Sequence, residues 1–102
     1  MRARDVERVL REGRPVRGAR VVAFVAGGPG RAAFVAGRKV GGAVERNRAR
    51  RVLRAAWQEV RPLLSEEMDV VWVARASIRG ARTRDLVAEM TELLRRAGVV
   101  RA

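Results

Sequence analysis

The 102-residue chain carries 23 basic residues against 11 acidic ones, a net charge of +12, which points to a polyanionic partner rather than a neutral metabolite. It contains no cysteine and no histidine, so disulfides, thiolate metal sites and imidazole general-base or metal-ligand chemistry are excluded. No uninterrupted apolar run approaches the ~18 residues of a membrane span; we expect one soluble, cytoplasmic domain over residues 1–102 with no membrane partner.

Residues Ala3–Glu12 place Val6, Val9 and Leu10 at i, i+3, i+4 with charges elsewhere, and Gly13 follows in the stop position, which predicts a short amphipathic helix. Arg20–Ala26 (RVVAFVA) is Val-rich and bounded by Gly27, Gly28, Pro29 and Gly30, a strand covered on both faces or bordering a cleft with its second face. Arg31–Gly37 repeats the pattern, and the glycine-rich loop is expected to join the two as a hairpin. Ala49, Val52, Leu53, Ala56, Trp57 and Val60 then recur at helical period. That helix should start near Ala43, after Gly41 and Gly42, and stop before Pro62. Asp69–Arg75 (DVVWVAR) reads as the strongest strand, and strand–helix–strand order implies that it runs parallel to Arg31–Gly37. A last amphipathic helix, Arg84–Ala97, is expected with Thr83 as N-cap and Gly98 as stop.

At roughly 100° per residue, Asn47, Arg50, Arg51 and Arg54 lie opposite the apolar stripe of the long helix, and Arg46 and Arg48 lie on its borders. Acids at i, i+4 are nearly absent there, so this face reads as a binding surface for an anion. Catalytic groups are sparse. The hydroxyls of Ser65, Ser77, Thr83 and Thr91 have no base to activate them, and Asp5, Asp69 and Asp85 open three different elements rather than converging on Mg²⁺. They read as helix-terminus compensation and solvated turns. Trp57 and Trp72 sit in periodic apolar patterns and are expected in the core.

The segment RKVGGAVERNRARRVLRAAW, residues 38–57, resembles the signature of the bacterial ribonuclease P protein subunit, a basic K-K-x-G-x-A-V-x-R-N-R-x-K-R-x-x-R pattern. It matches at Arg38, Lys39, Gly41, Ala43, Val44, Arg46, Asn47, Arg48, Arg50, Arg51 and Arg54, and the likeness extends over nearly the whole chain. The resemblance implies an α/β (α+β) fold of ribosomal protein S5 domain 2-like type: three helices and a mostly antiparallel four-stranded sheet. It also implies a fourth strand near Pro15–Arg17 and a left-handed βαβ crossover, against the usual hand.

It further implies a non-catalytic protein subunit of an endonuclease that removes the 5′ leader of precursor tRNA. Its partners would be the catalytic RNA and precursor tRNA, with no obligate protein partner. Mg²⁺ would act in the ribonucleoprotein active site, with no cofactor bound by the protein alone. Carried over by position, Arg38, Lys39, Arg46, Asn47, Arg48, Arg50, Arg51 and Arg54 would bind RNA, and Val6, Leu10, Phe24 and Lys39 would border a leader cleft. The chain departs from the family in having Val6 and Leu10 where aromatics are common and Gly37 where serine is usual. The alternative is a structural RNA-binding protein of ribosomal type, which shares the basic face without requiring the full RNR pattern.

Overall fold

The elements follow in the order α1 (Ala3–Glu12), β1 (Arg14–Arg17), β2 (Val21–Gly27), β3 (Ala32–Val35), α2 (Ala43–Val60), β4 (Met68–Ala74) and α3 (Thr83–Arg96). Single 3-10 turns occupy Arg38–Val40, Arg61–Leu63 and Ala76–Ile78. The computed structural model describes residues 1–101. One sheet runs in the order β1-β2-β4-β3, antiparallel except for the parallel β3–β4 pair. The parallel relation expected across α2 is therefore present, and the edge strand implied by the family resemblance is β1.

The hairpin expected between β2 and β3 does not form, because β4 inserts between them. β4 contains Val70, Val71, Trp72 and Val73, apolar on both faces, and a central position buries both. The loop from β2 to β3 must then cross the start of β4, where Asp69 organises it. Asp69 is completely buried and is neither a helix-terminus charge nor a solvated turn residue, as its position had implied. Its carboxylate accepts the Arg31 backbone N–H at 2.9 Å, the Arg31 guanidinium at 2.8 Å and the Arg8 guanidinium at 2.9 Å. Burial by itself raises its pKa, but the hydrogen bonds from Arg31 and the charges of Arg31 and Arg8 outweigh that and hold the carboxyl below its ordinary range. Gly28 serves this group rather than a hairpin turn: a Cβ there would lie 2.1 Å from Asp69 Oδ2.

Strand alternation sorts the side chains. Ala23 pairs with Trp72, and Trp72 with Phe34, on the face covered by α2 and α3. There Trp72 and Trp57 meet with ring centroids 5.9 Å apart, both in the core as expected. Ala49, Leu53, Ala56, Trp57 and Val60 are the buried stripe of α2, and Leu86, Met90, Leu93 and Leu94 that of α3. Truncating Trp72 to alanine would cost about 3–5 kcal/mol. The opposite face carries Val22, Phe24, Val71 and Val73. α1 covers part of it, burying Val9, and the ion pairs from Arg8 to Asp69 and from Arg31 to Asp5 at 3.2 Å tie the helix down.

Helix ends follow local chemistry. Thr83, the expected N-cap of α3, is instead its first helical residue; Arg82 occupies the cap and donates its backbone N–H to Asp85 Oδ2 at 2.9 Å. An arginine side chain has no acceptor, so the carboxylate three residues on supplies the only cap. Gly98, at φ 78°, closes α3 in the left-handed conformation that favours glycine. Gly13 ends α1 for another reason: its backbone is extended, and a Cβ would lie 2.4 Å from the Val9 carbonyl oxygen.

Candidate nucleic-acid interface

The basic helix α2 is anchored from below by Ala49, Leu53 and Val60, which fixes the direction of everything on its upper side. Asn47, Arg51 and Arg54 are exposed and Arg46 and Arg48 are half-buried along its borders, as expected; Arg50, expected opposite the stripe, is half-buried as well, drawn toward the Ala36 carbonyl. Gly41, at φ 141° and 3.0 Å from Glu45 Cβ for any added Cβ, lets the chain turn sharply from the Arg38–Val40 turn into the helix. The structure therefore brings the sequence-predicted RNA-binding residues to one side of the molecule, with Arg38 and Lys39 exposed just before the helix.

Three of the arginines are held by contacts that leave their charge unpaired. Arg50 donates to Asn47 Oδ1 at 2.5 Å and to the Ala36 carbonyl at 3.5 Å, Arg48 donates to the Ala81 carbonyl at 3.0 Å, and Arg54 lies 5.3 Å above the Phe34 ring. A guanidinium has five N–H donors, so one or two bonds to neutral acceptors orient it and leave the rest of its fork for phosphate. Ion pairing elsewhere on the molecule makes the contrast. Arg8, Arg11, Arg20, Arg31, Arg79 and Arg95 have carboxylate partners, whereas among the described residues no arginine of α2 does. An exposed ion pair is worth little to stability, but its absence along a whole face leaves a field for an anion.

The expected cleft residues border the opposite face of the sheet. Val6 is half-buried and Leu10 is 37% exposed on either side of the buried Val9. Phe24 is half-buried on β2, two residues beyond Val22 on the same face. A cavity of about 490 Å³ adjoins Val22 and is lined by Lys39, Arg17, Arg75 and Ser77; of the four predicted cleft residues it includes only Lys39. Arg17 and Arg75 were not singled out by sequence reasoning. They sit on an edge strand and in a loop; the sheet sets Arg17 opposite Val22, and the two arginines share the cavity wall with Lys39 only in the folded chain. A larger cavity of about 600 Å³ lies by the C-terminal end of α2, where Glu66, Glu67, Arg61 and Arg101 mix both signs of charge. It lies outside the basic face, and its mixed charge gives it no preference for a polyanion.

Among the described residues no cluster of three or more carboxylate, histidine or cysteine side chains is arranged for a metal ion. The aspartates are otherwise engaged: Asp69 and Asp5 with arginines, and Asp85 with the Arg82 backbone N–H, a bond that lowers its pKa. No helix among the described residues is long and apolar enough to cross a membrane.

The family model described as Ribonuclease P matches residues 1–98. The ribonuclease P protein component of Symbiobacterium thermophilum is 38% identical over 96 residues, covering 90% of this chain and 84% of that protein. That of Pelotomaculum thermopropionicum is 32% identical over 102 residues, covering 97% and 91%. Among solved structures, the Staphylococcus aureus RNase P protein superposes with a TM-score of 0.83 at 20% identity, covering 99% of this chain and 95% of that one. At that identity the superposition speaks for the three-helix, four-stranded fold.

Proposed function

The chain belongs to the ribonuclease P protein component family, whose members form part of an endoribonuclease complex with the ribonuclease P RNA in tRNA processing, and on that premise we propose a division of labour between its two faces. α2 docks on the ribonuclease P RNA, with Arg46, Asn47, Arg48, Arg50, Arg51 and Arg54 meeting its phosphates. The sheet face bordered by Val6, Leu10, Phe24 and Lys39 receives the single-stranded 5′ leader of precursor tRNA. The observation that carries this reading is the row of oriented arginines on α2 without carboxylate partners. Lys39, beside the start of α2 and in the wall of the cavity at Val22, adjoins both faces.

In this reading the protein's own residues bind and position, and the RNA subunit would hold Mg²⁺ and supply the cleavage chemistry. The chain has no histidine, and its aspartates are engaged in ion pairs and a cap, so neither residue type supplies a free general base. Its contribution to rate is placement of the leader and neutralisation of crowded phosphates. Phe24 is the aromatic on this face, and stacking contributes about 1–3 kcal/mol per base.

The test is cleavage of precursor tRNA by a bacterial ribonuclease P RNA at low Mg²⁺, with and without this protein. Stimulation is expected, and Arg48→Glu with Arg50→Glu should weaken RNA binding and flatten its dependence on salt. Absence of both stimulation and RNA binding would refute the proposal. Co-purification of ribosomal RNA in place of ribonuclease P RNA would support the structural RNA-binding alternative.

A further inference from the structure

Resting on the docking role of α2, we propose that the segment between β4 and α3, residues 75–82, is a second RNA-backbone contact element in which Arg79 and Arg82 extend the α2 face toward α3. Three contacts place it there. The 3-10 turn Ala76–Ile78 packs against the turn Arg38–Val40. Arg48 donates to the Ala81 carbonyl at 3.0 Å, and Arg79 Nη2 lies 3.7 Å from Glu45 Oε1. The segment is firmly seated, with Ile78 and Ala81 buried and the Ala81 N–H donating to the Ile78 carbonyl at 2.9 Å. Gly80, at φ 82°, bends the chain between them, and Arg79 and Arg82 are left exposed.

Charge decides what this surface can meet. Glu45 is the carboxylate nearest Arg79, and with side chains 60% and 40% exposed that pair is weak and easily exchanged for another anion. Asp85 is occupied by the Arg82 backbone N–H, and no carboxylate lies within ion-pair distance of the Arg82 guanidinium among the described residues. The bond from Arg48 to Ala81 joins two segments that are far apart in sequence, so both present cations as one rigid surface. A phosphodiester backbone lying along α2 and crossing Arg48 reaches Arg82 and Arg79 next, and each phosphate contact releases counterions.

Binding of the full chain to a transcribed bacterial ribonuclease P RNA, measured across a salt series, tests this with three double variants: R79Q/R82Q, R48Q/R51Q, and R95Q/R96Q at the far end of α3. For two lost contacts at about 0.7–0.9 each, R79Q/R82Q should reduce the log–log salt slope by roughly 1.4–1.8, with R79K/R82K restoring it and R95Q/R96Q unchanged. A wild-type slope for R79Q/R82Q beside a reduced slope for R48Q/R51Q overturns this inference and leaves α2 docking intact. A wild-type slope for all three overturns the docking role itself. An equal loss from R95Q/R96Q shows unspecific charge attraction and also overturns the inference.

Discussion

Replacing Asp69 with asparagine keeps the shape of the side chain and removes its charge, which isolates what that buried carboxylate contributes. In the fold it receives three donors from Arg31, at 2.9, 3.4 and 2.8 Å, and one from Arg8 at 2.9 Å. Removing one partner of a buried pair costs about 3–5 kcal/mol. Here the Arg8 and Arg31 side chains are 32% and 38% exposed and can turn to water once the charge is gone. We therefore expect a loss of about 2–3 kcal/mol, or roughly 8–24 °C in Tm for a domain of this size at neutral pH.

The pH dependence gives a second, independent reading. The folded-state pKa of Asp69 is depressed, so its stabilisation is fully present above the unfolded carboxylate pKa of about 3.9 and is lost as pH falls through the folded-state value. Circular dichroism melts should show a Tm gap between wild type and Asp69→Asn that holds from neutrality to about pH 4 and closes below it. A gap under about 3 °C at neutral pH, or one that stays constant into strong acid, would refute the assignment of Asp69 as the charged centre of the β2–β3 crossing.

Gly28→Ala sets a methyl 2.1 Å from Asp69 Oδ2; it should cost about 1–3 kcal/mol in urea unfolding and cost little more on an Asp69→Ala background, where the clash is gone. Phe34→Leu removes the ring beneath Arg54, 5.3 Å away, and with it about 0.5–1 kcal/mol of cation–π orientation. RNA binding should weaken about two- to fivefold with the circular dichroism spectrum retained; an unchanged Kd would show that Arg54 needs no platform. Glu45→Gln removes the acid in the first turn of α2. RNA binding should tighten at low salt and converge with wild type at high salt, whereas weaker binding would mean that Glu45 holds Arg79 in its binding position.

The segregation of charge on this molecule was only half visible in its sequence. The pattern from Arg46 to Arg54 could be read directly, because a helix maps spacing onto angle and the apolar stripe fixes which side faces out. Which arginines keep their charge available could not be read, since Arg31 and Arg54 look alike in sequence. Arg31 is drawn to Asp69, 38 residues away, and to Asp5, while Arg54 lies over an aromatic ring. The same holds for Arg79 and Arg82, which look like ordinary loop charges until Arg48 is found bonded to the carbonyl of Ala81.

Local chemistry by itself determined the three helices, their apolar faces, the strongly apolar β4 and the lack of histidine and cysteine. These rest on periodicity and residue inventory, which need no knowledge of distant contacts. Strand order, the burial of Asp69, the demand for glycine at position 28 and the seating of residues 75–82 beside α2 were decided by tertiary structure. The glycine-rich loop is compatible with a tight hairpin and with a crossing over β4. The choice falls to the crossing because a strand apolar on both faces is buried best between two others, and because a carboxylate at its start can hold the crossing chain in place.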